Sequence, residues 1–215
     1  MASLFDPFRE DMARIKRELE KLQGLKIHVG IMGDAGSDIL TIAGVHEYGA
    51  TIHAKKAKNL SIPLTDEAKK AGSPRNVKDL QFIQISPGYG YLVREKPKAK
   101  GKEYDPNNYD WLYMLVDSVE IPERSFIRGS YDDGKDALDS LCKEAVDGIV
   151  YSHWTAEQAA DHVGKLALEM TRDYFNTKLE PAKSKTTQLT STQYQPLFDT
   201  GRLYNSITYS VEADQ

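Results

Sequence analysis

What the chain has little of narrows its class first. It holds a single cysteine, Cys142, among 215 residues. Neither a disulfide framework nor a cysteine-rich zinc site can form within it. No uninterrupted apolar run approaches the roughly 20 residues that span a bilayer as a helix. The start, Met1-Ala2-Ser3-Leu4-Phe5-Asp6, has neither the cationic opening nor the apolar stretch of a secretory signal. These absences predict a soluble protein made in a reducing cytoplasm, with no membrane among its partners. The phosphate-binding and nucleophile patterns are missing too: there is no P-loop, no G-x-G-x-x-G and no G-x-S-x-G. What is present is ordinary for an ordered domain, with 40% hydrophobic and 28% charged residues. The formal net charge of −4 argues against a protein whose main task is to coat nucleic acid.

Charge divides unevenly along the chain. Residues 1–108 carry 18 Lys/Arg against 14 Asp/Glu, and residues 109–215 carry 10 against 18. Solvated faces account for such a split. So does a polar subunit that stacks its basic side on the acidic side of a neighbour, as head-to-tail rings do.

Hydrophobic spacing predicts the elements. Asp6-Pro7 reads as an N-cap and first helical position, after which Phe8, Met12, Ile15, Leu19 and Leu22 share one helical face up to Gly24. Lys26 to Ile31 alternates as a strand. A turn at Gly33–Gly36 leads to a short helix capped by Asp38 and stopped at Gly49. Leu60 to Leu64 is a strand that Pro63 assigns to a sheet edge. Residues 65–78 read as helix then loop. The runs 80–85 and 89–93 form a hairpin about Ser86-Pro87-Gly88, and Trp111 to Ile121 reads as one further strand. Helices follow over 132–150 and 155–179, the second opened by a capping box from Thr155 to Gln158; a last strand starts at Ile207. Cys142, on the apolar stripe of the first of these helices, reads as a buried thiol. Without a βαβ rhythm the prediction is an α+β fold: a mixed, mainly antiparallel sheet packed against several helices, with an N-terminal helix and a mobile lysine-rich loop. The organisation expected is a helix over 1–24 and a single domain over 25–215, with flexible loops at 94–110 and 182–196.

The side chains offer little for catalysis. His46-Glu47 opens like H-E-x-x-H, but Ala50 stands where the second histidine belongs. His153 and His162 fall in different contexts, one before a helix and one within it. Gly88-Tyr89-Gly90 lacks the helix that a phosphate cradle needs. Lysines at 55–58 and along 94–102 could touch phosphate, yet no nucleic-acid motif surrounds them. No catalytic residue, metal site or cofactor is assigned.

Four segments carry more. They are Ala43-Gly44-Val45-His46-Glu47-Tyr48-Gly49-Ala50-Thr51-Ile52; Asn59-Leu60-Ser61-Ile62-Pro63-Leu64; Val119-Glu120-Ile121-Pro122-Glu123-Arg124-Ser125-Phe126-Ile127-Arg128; and Leu197-Phe198-Asp199-Thr200-Gly201-Arg202-Leu203-Tyr204-Asn205-Ser206-Ile207. In this order they resemble the tailed-bacteriophage virion morphogenesis and tail completion proteins, which act in head–tail joining and the neck. Ser125 stands where that family usually has proline. The resemblance implies a structural virion protein at the head-proximal end of the tail or the head–tail junction, without turnover; a tail terminator ring protein or a DNA-binding accessory protein are the alternatives. It implies partners among connector and tail proteins, a homo-oligomeric ring, proximity to DNA, and a place in the virion after assembly in the host cytoplasm. Glu47, Tyr48, Arg124, Phe126, Arg128, Asp199, Thr200 and Arg202 are the candidate assembly interface.

Overall fold

The computed structural model describes residues 6–97, 104–183, 195–198 and 200–214. These form an α+β arrangement in which every strand pairing is antiparallel. The chain divides into two units. Among the described residues, one draws on those up to 48, then 123–183, then 195 onward, and the other on 49–122. The single domain expected over 25–215 is therefore corrected to two units, and the N-terminal helix belongs to the first of them.

The first unit is helix-rich. Its helices are α1 (Asp6–Gln23), α2 (Ser37–Tyr48), α4 (Ile127–Tyr151), α5 (Ala156–Thr177) and the short α6 (Arg202–Asn205). Its sheet is β1 (Leu25–Ile31) paired with β8 (Ile207–Ala213), Leu25 opposite Ala213 and Ile31 opposite Ile207. α5 begins where the capping box requires, with the Thr155 Oγ1 accepting from the Gln158 amide and the Gln158 side chain accepting from the Thr155 amide. It packs against both strands. Gly164 allows the close approach: a Cβ there would stand 2.4 Å from the Tyr209 ring of β8, whose hydroxyl donates to Asp161 at 2.5 Å. Two apolar clusters hold the unit together. One joins Ala145, Ile149, Ala159 and Val163 to Leu19 and Leu22 of α1. The other joins Ile39, Ala43, Phe126, Phe175, Leu203 and Ile207. The N-terminal end of the α1 stripe stays open, since Phe8 is 66% and Met12 49% exposed.

The second unit holds β2 (Ala50–His53) paired with β7 (Ser118–Ile121), and a four-stranded sheet in the order β3-β6-β5-β4. Its strands are β3 (Leu60–Pro63), β4 (Gln81–Ser86), β5 (Tyr89–Glu95) and β6 (Tyr109–Val116). Pro63 lies in an edge strand, as its missing amide hydrogen demands. α3 (Asp66–Ala71) covers one face, where Ala68 is fully buried and the Tyr113 hydroxyl donates to its carbonyl at 3.1 Å.

The strand expected over 111–121 is two strands in different sheets, broken at Asp117. The Asp117 carboxylate accepts from Asn59 at 2.8 Å and lies against Gly88, where a Cβ would come within 2.0 Å of it. The predicted loop at 94–110 is shorter than expected: Arg94 and Glu95 finish β5, Tyr109 and Asp110 open β6, and residues 98–103 lie outside the described residues. Of the loop predicted at 182–196, residues 184–194 also lie outside them. Cys142 is exposed on α4 rather than buried. No described helix is long and apolar enough to cross a membrane.

Candidate functional site

Glu47 sits on the last turn of α2 and is 5% exposed. Gly49, at φ +70°, ends that helix in the left-handed conformation a side chain disfavours. The carboxylate then meets the start of α4. It accepts from the backbone amides of Phe126 (2.9 Å), Ile127 (3.1 Å) and Arg128 (2.9 Å), from the Ser125 hydroxyl (2.6 Å) and from Arg128 Nε (3.1 Å). A helix's first amides have no partner within the helix, and its N-terminal dipole favours an anion. Glu47 supplies both needs from another element. That explains why α4 starts at Ile127 and not at the predicted 132. Ser125, at the position that is proline in the family resembled, adds a donor to Glu47 and accepts from the Gly129 amide at 3.3 Å.

Two arginines flank the carboxylate. Arg128 Nη2 donates to the Glu47 carbonyl (2.6 Å) and to Glu123 (2.8 Å), and its guanidinium lies 4.5 Å over the Tyr48 ring. Arg124 is 7% exposed and donates to the carbonyls of Pro181 (2.6 Å) and Ala182 (3.0 Å), while its amide donates to the His46 carbonyl at 2.7 Å. Burial holds the Arg124 pKa below its ordinary value. Burial, with the Arg124 charge adding to it, also pushes the His46 imidazole below its ordinary value, and His46 Nδ1 is buried without a hydrogen-bond partner among the described residues.

The predicted interface residues therefore separate. Glu47, Arg124 and Phe126 are buried in the folded chain, so as direct contact residues they are corrected to internal scaffolding. Phe126 packs edge-on against Phe175 with centroids 5.4 Å apart. Tyr48 is 68% exposed, and Arg128 and Arg202 are also open to solvent. Arg202 pairs with Asp38 at 2.7 Å, so Asp38 meets a side chain instead of capping α2, which starts one residue earlier. Thr200 Oγ1 accepts weakly from the Arg202 amide at 3.5 Å; Asp199 lies outside the described residues.

Residues expected to matter for other chemistry lie elsewhere. Arg94 is held by both carboxylate oxygens of Glu67, at 2.7 and 2.8 Å, and Lys96 donates to the Asn107 carbonyl at 2.8 Å. Lys55, Lys56 and Lys58 lie exposed in a loop. His153 lies 3.7 Å from Asp11 and His162 lies 3.4 Å from Glu144. Among the described residues no group of three His, Cys, Asp or Glu side chains is placed to hold a metal ion.

A second buried carboxylate was missed. Glu18 of α1 is 6% exposed and accepts from the Ala156 amide at 3.1 Å, at the start of α5. That hydrogen bond, aided by Arg17 and Lys21 against the cost of burial, holds its pKa below the ordinary range. The signal was in the spacing: Glu18 falls between Ile15 and Leu22 on the apolar stripe, where a charge needs a partner.

Against protein-family models, curated proteins and solved structures alike, the chain has no match.

Proposed function

We propose that this chain is a structural virion protein of a tailed bacteriophage, acting without turnover at the head-proximal end of the tail or at the head–tail junction. One observation carries the reading. Three of the four segments that resemble the tail completion group meet in one place: Glu47 ties the α2 end to residues 125–128, and Ala43, Phe126, Leu203 and Ile207 share one apolar cluster. Segments far apart in sequence thus act as one unit, which is what a fold-defining set of family motifs should do. The Glu47 carboxylate and the donors around it satisfy one another, a property suited to a scaffold rather than to a reacting centre.

The exposed members of the set, Tyr48, Arg128 and Arg202, are the contact candidates toward connector or tail proteins and further copies in a ring. The test is electron microscopy of particles assembled without this protein. Filled heads and tails that remain separate support the reading. Joined, infectious particles overturn it.

A further inference from the structure

The sheet of the first unit is narrower than its helix layer. α5 lies against β1 and β8, and α4 lies beside α5. Where a third strand would run above α4 there is instead a groove of about 990 Å³, with Ile27, Val29 and Ile31 on one side and Leu138 and Cys142 on the other. Among the described residues β1 pairs only with β8. The Asp214 amide donates to the Gly24 carbonyl at 2.7 Å, which fixes the phase of the ladder. By the alternation of antiparallel pairing, Ile27, Val29 and Ile31 then turn their N–H and C=O groups away from β8, toward the groove. A row of free main-chain donors and acceptors beside apolar side chains selects an extended peptide.

We propose that β4 of a second copy of this chain adds to the free edge of β1 and fills this groove. β4 is itself an edge strand, with Phe82 56% and Ile85 55% exposed. Charge matches: residues 80–93 contain no charged side chain, and the groove's cations are already engaged, Arg128 by Glu47 and Glu123 and Lys135 by Asp132. The layers match as well. α3 packs on β3 and β6, and its cluster reaches Leu92 of β5; Phe82 and Gln84 of β4 stay exposed, so α4 of the receiving copy can lie beneath β4. A symmetric β1–β1 pairing fails this requirement, because it would bring the partner's α4 onto the space held by α5. The donor and acceptor edges are different surfaces, so the contact is head-to-tail and propagates into a ring or filament. The ring would serve the assembly role proposed above; the contact itself stands on the two edges.

The test uses the purified full chain. Wild type, whose only thiol is Cys142 in the groove, is mixed under mild oxidation with a tagged Gln84→Cys/Cys142→Ala variant. The expected product is a mixed disulfide dimer at least tenfold above either protein's own dimer. Adding Ile85→Lys to the tagged chain should abolish it while the far-UV spectrum is unchanged; Phe82→Ser serves the same purpose if the lysine variant does not fold. No mixed dimer, or one that survives these changes in a folded chain, overturns the contact. Neither result touches location in the virion, which the particle experiment decides separately.

Discussion

Glu47 in the first unit and Glu67 in the second each bind an arginine, but their surroundings differ. Glu47 is buried and receives five hydrogen bonds, three of them from the amides of an incoming helix. Glu67 meets Arg94 at the surface, with side chains 52% and 33% exposed. In the first case the carboxylate decides where α4 begins. In the second, water can replace either partner at little cost. Apolar side chains show the reverse distribution along the strands: β4 leaves Phe82 and Ile85 open, whereas β8 of the first unit begins with Ile207 fully buried. The first unit anchors a helix start on a buried charge, whereas the second pairs Glu67 at the surface and leaves apolar side chains of β4 exposed.

The largest expected effect follows from the buried carboxylate. Glu47→Ala strands several donors at once and should lower stability by about 3–5 kcal/mol, the usual cost of removing one partner of a buried charged network. Urea denaturation reads it directly, and a loss below 1 kcal/mol would break the contrast with Glu67. Leu112→Ala tests the core of the second unit, where Leu112 is 1% exposed. A loss of about 2–5 kcal/mol is expected; a near-neutral result would mean that this sheet is not held by its α3 face.

A third expectation concerns pH. Folding depresses the His46 pKa, so the unfolded chain takes up its proton at a higher pH than the folded one. Stability is therefore full above the unfolded histidine range and declines as pH falls through it. His46→Gln should flatten the pH 7 to 5 limb of the unfolding free energy, and an unchanged slope would rule out this cause. The smallest effect is expected at Arg202, whose pair with Asp38 is 61% and 58% exposed. Arg202→Ala should cost about 0–1 kcal/mol. A loss several times larger, measured by thermal unfolding, would move Arg202 from the surface group to the scaffold.

Much of the fold was legible because its signals are local. The Thr155–Gln158 capping box, the Pro87-Gly88 turn and the α1 stripe each depend on residues within one turn or hairpin. The errors arose where a distant residue intervenes. Nothing near residue 127 announces a helix start, because the acceptor for its first amides is Glu47, about 80 positions earlier. The break at Asp117 rests on Asn59 and Gly88 for the same reason. For the site, the motif segments can be picked out in the sequence, but sequence does not say which of their residues face inward. Burial of Arg124 and Phe126 separates scaffold from surface, and only packing decides burial.

The pairing of β1 with β8 also governs when the protein can finish folding on the ribosome. Leu25 must wait for Ala213, nearly the length of the chain. At about 5–20 residues per second that interval is roughly 10–40 s. Meanwhile residues 49–122, the described part of the second unit, have emerged and can begin to pair. Ile27, Val29 and Ile31 stand without any strand partner throughout. Through that interval β1 is an apolar strand awaiting its partner, the state in which an exposed edge is open to wrong pairing.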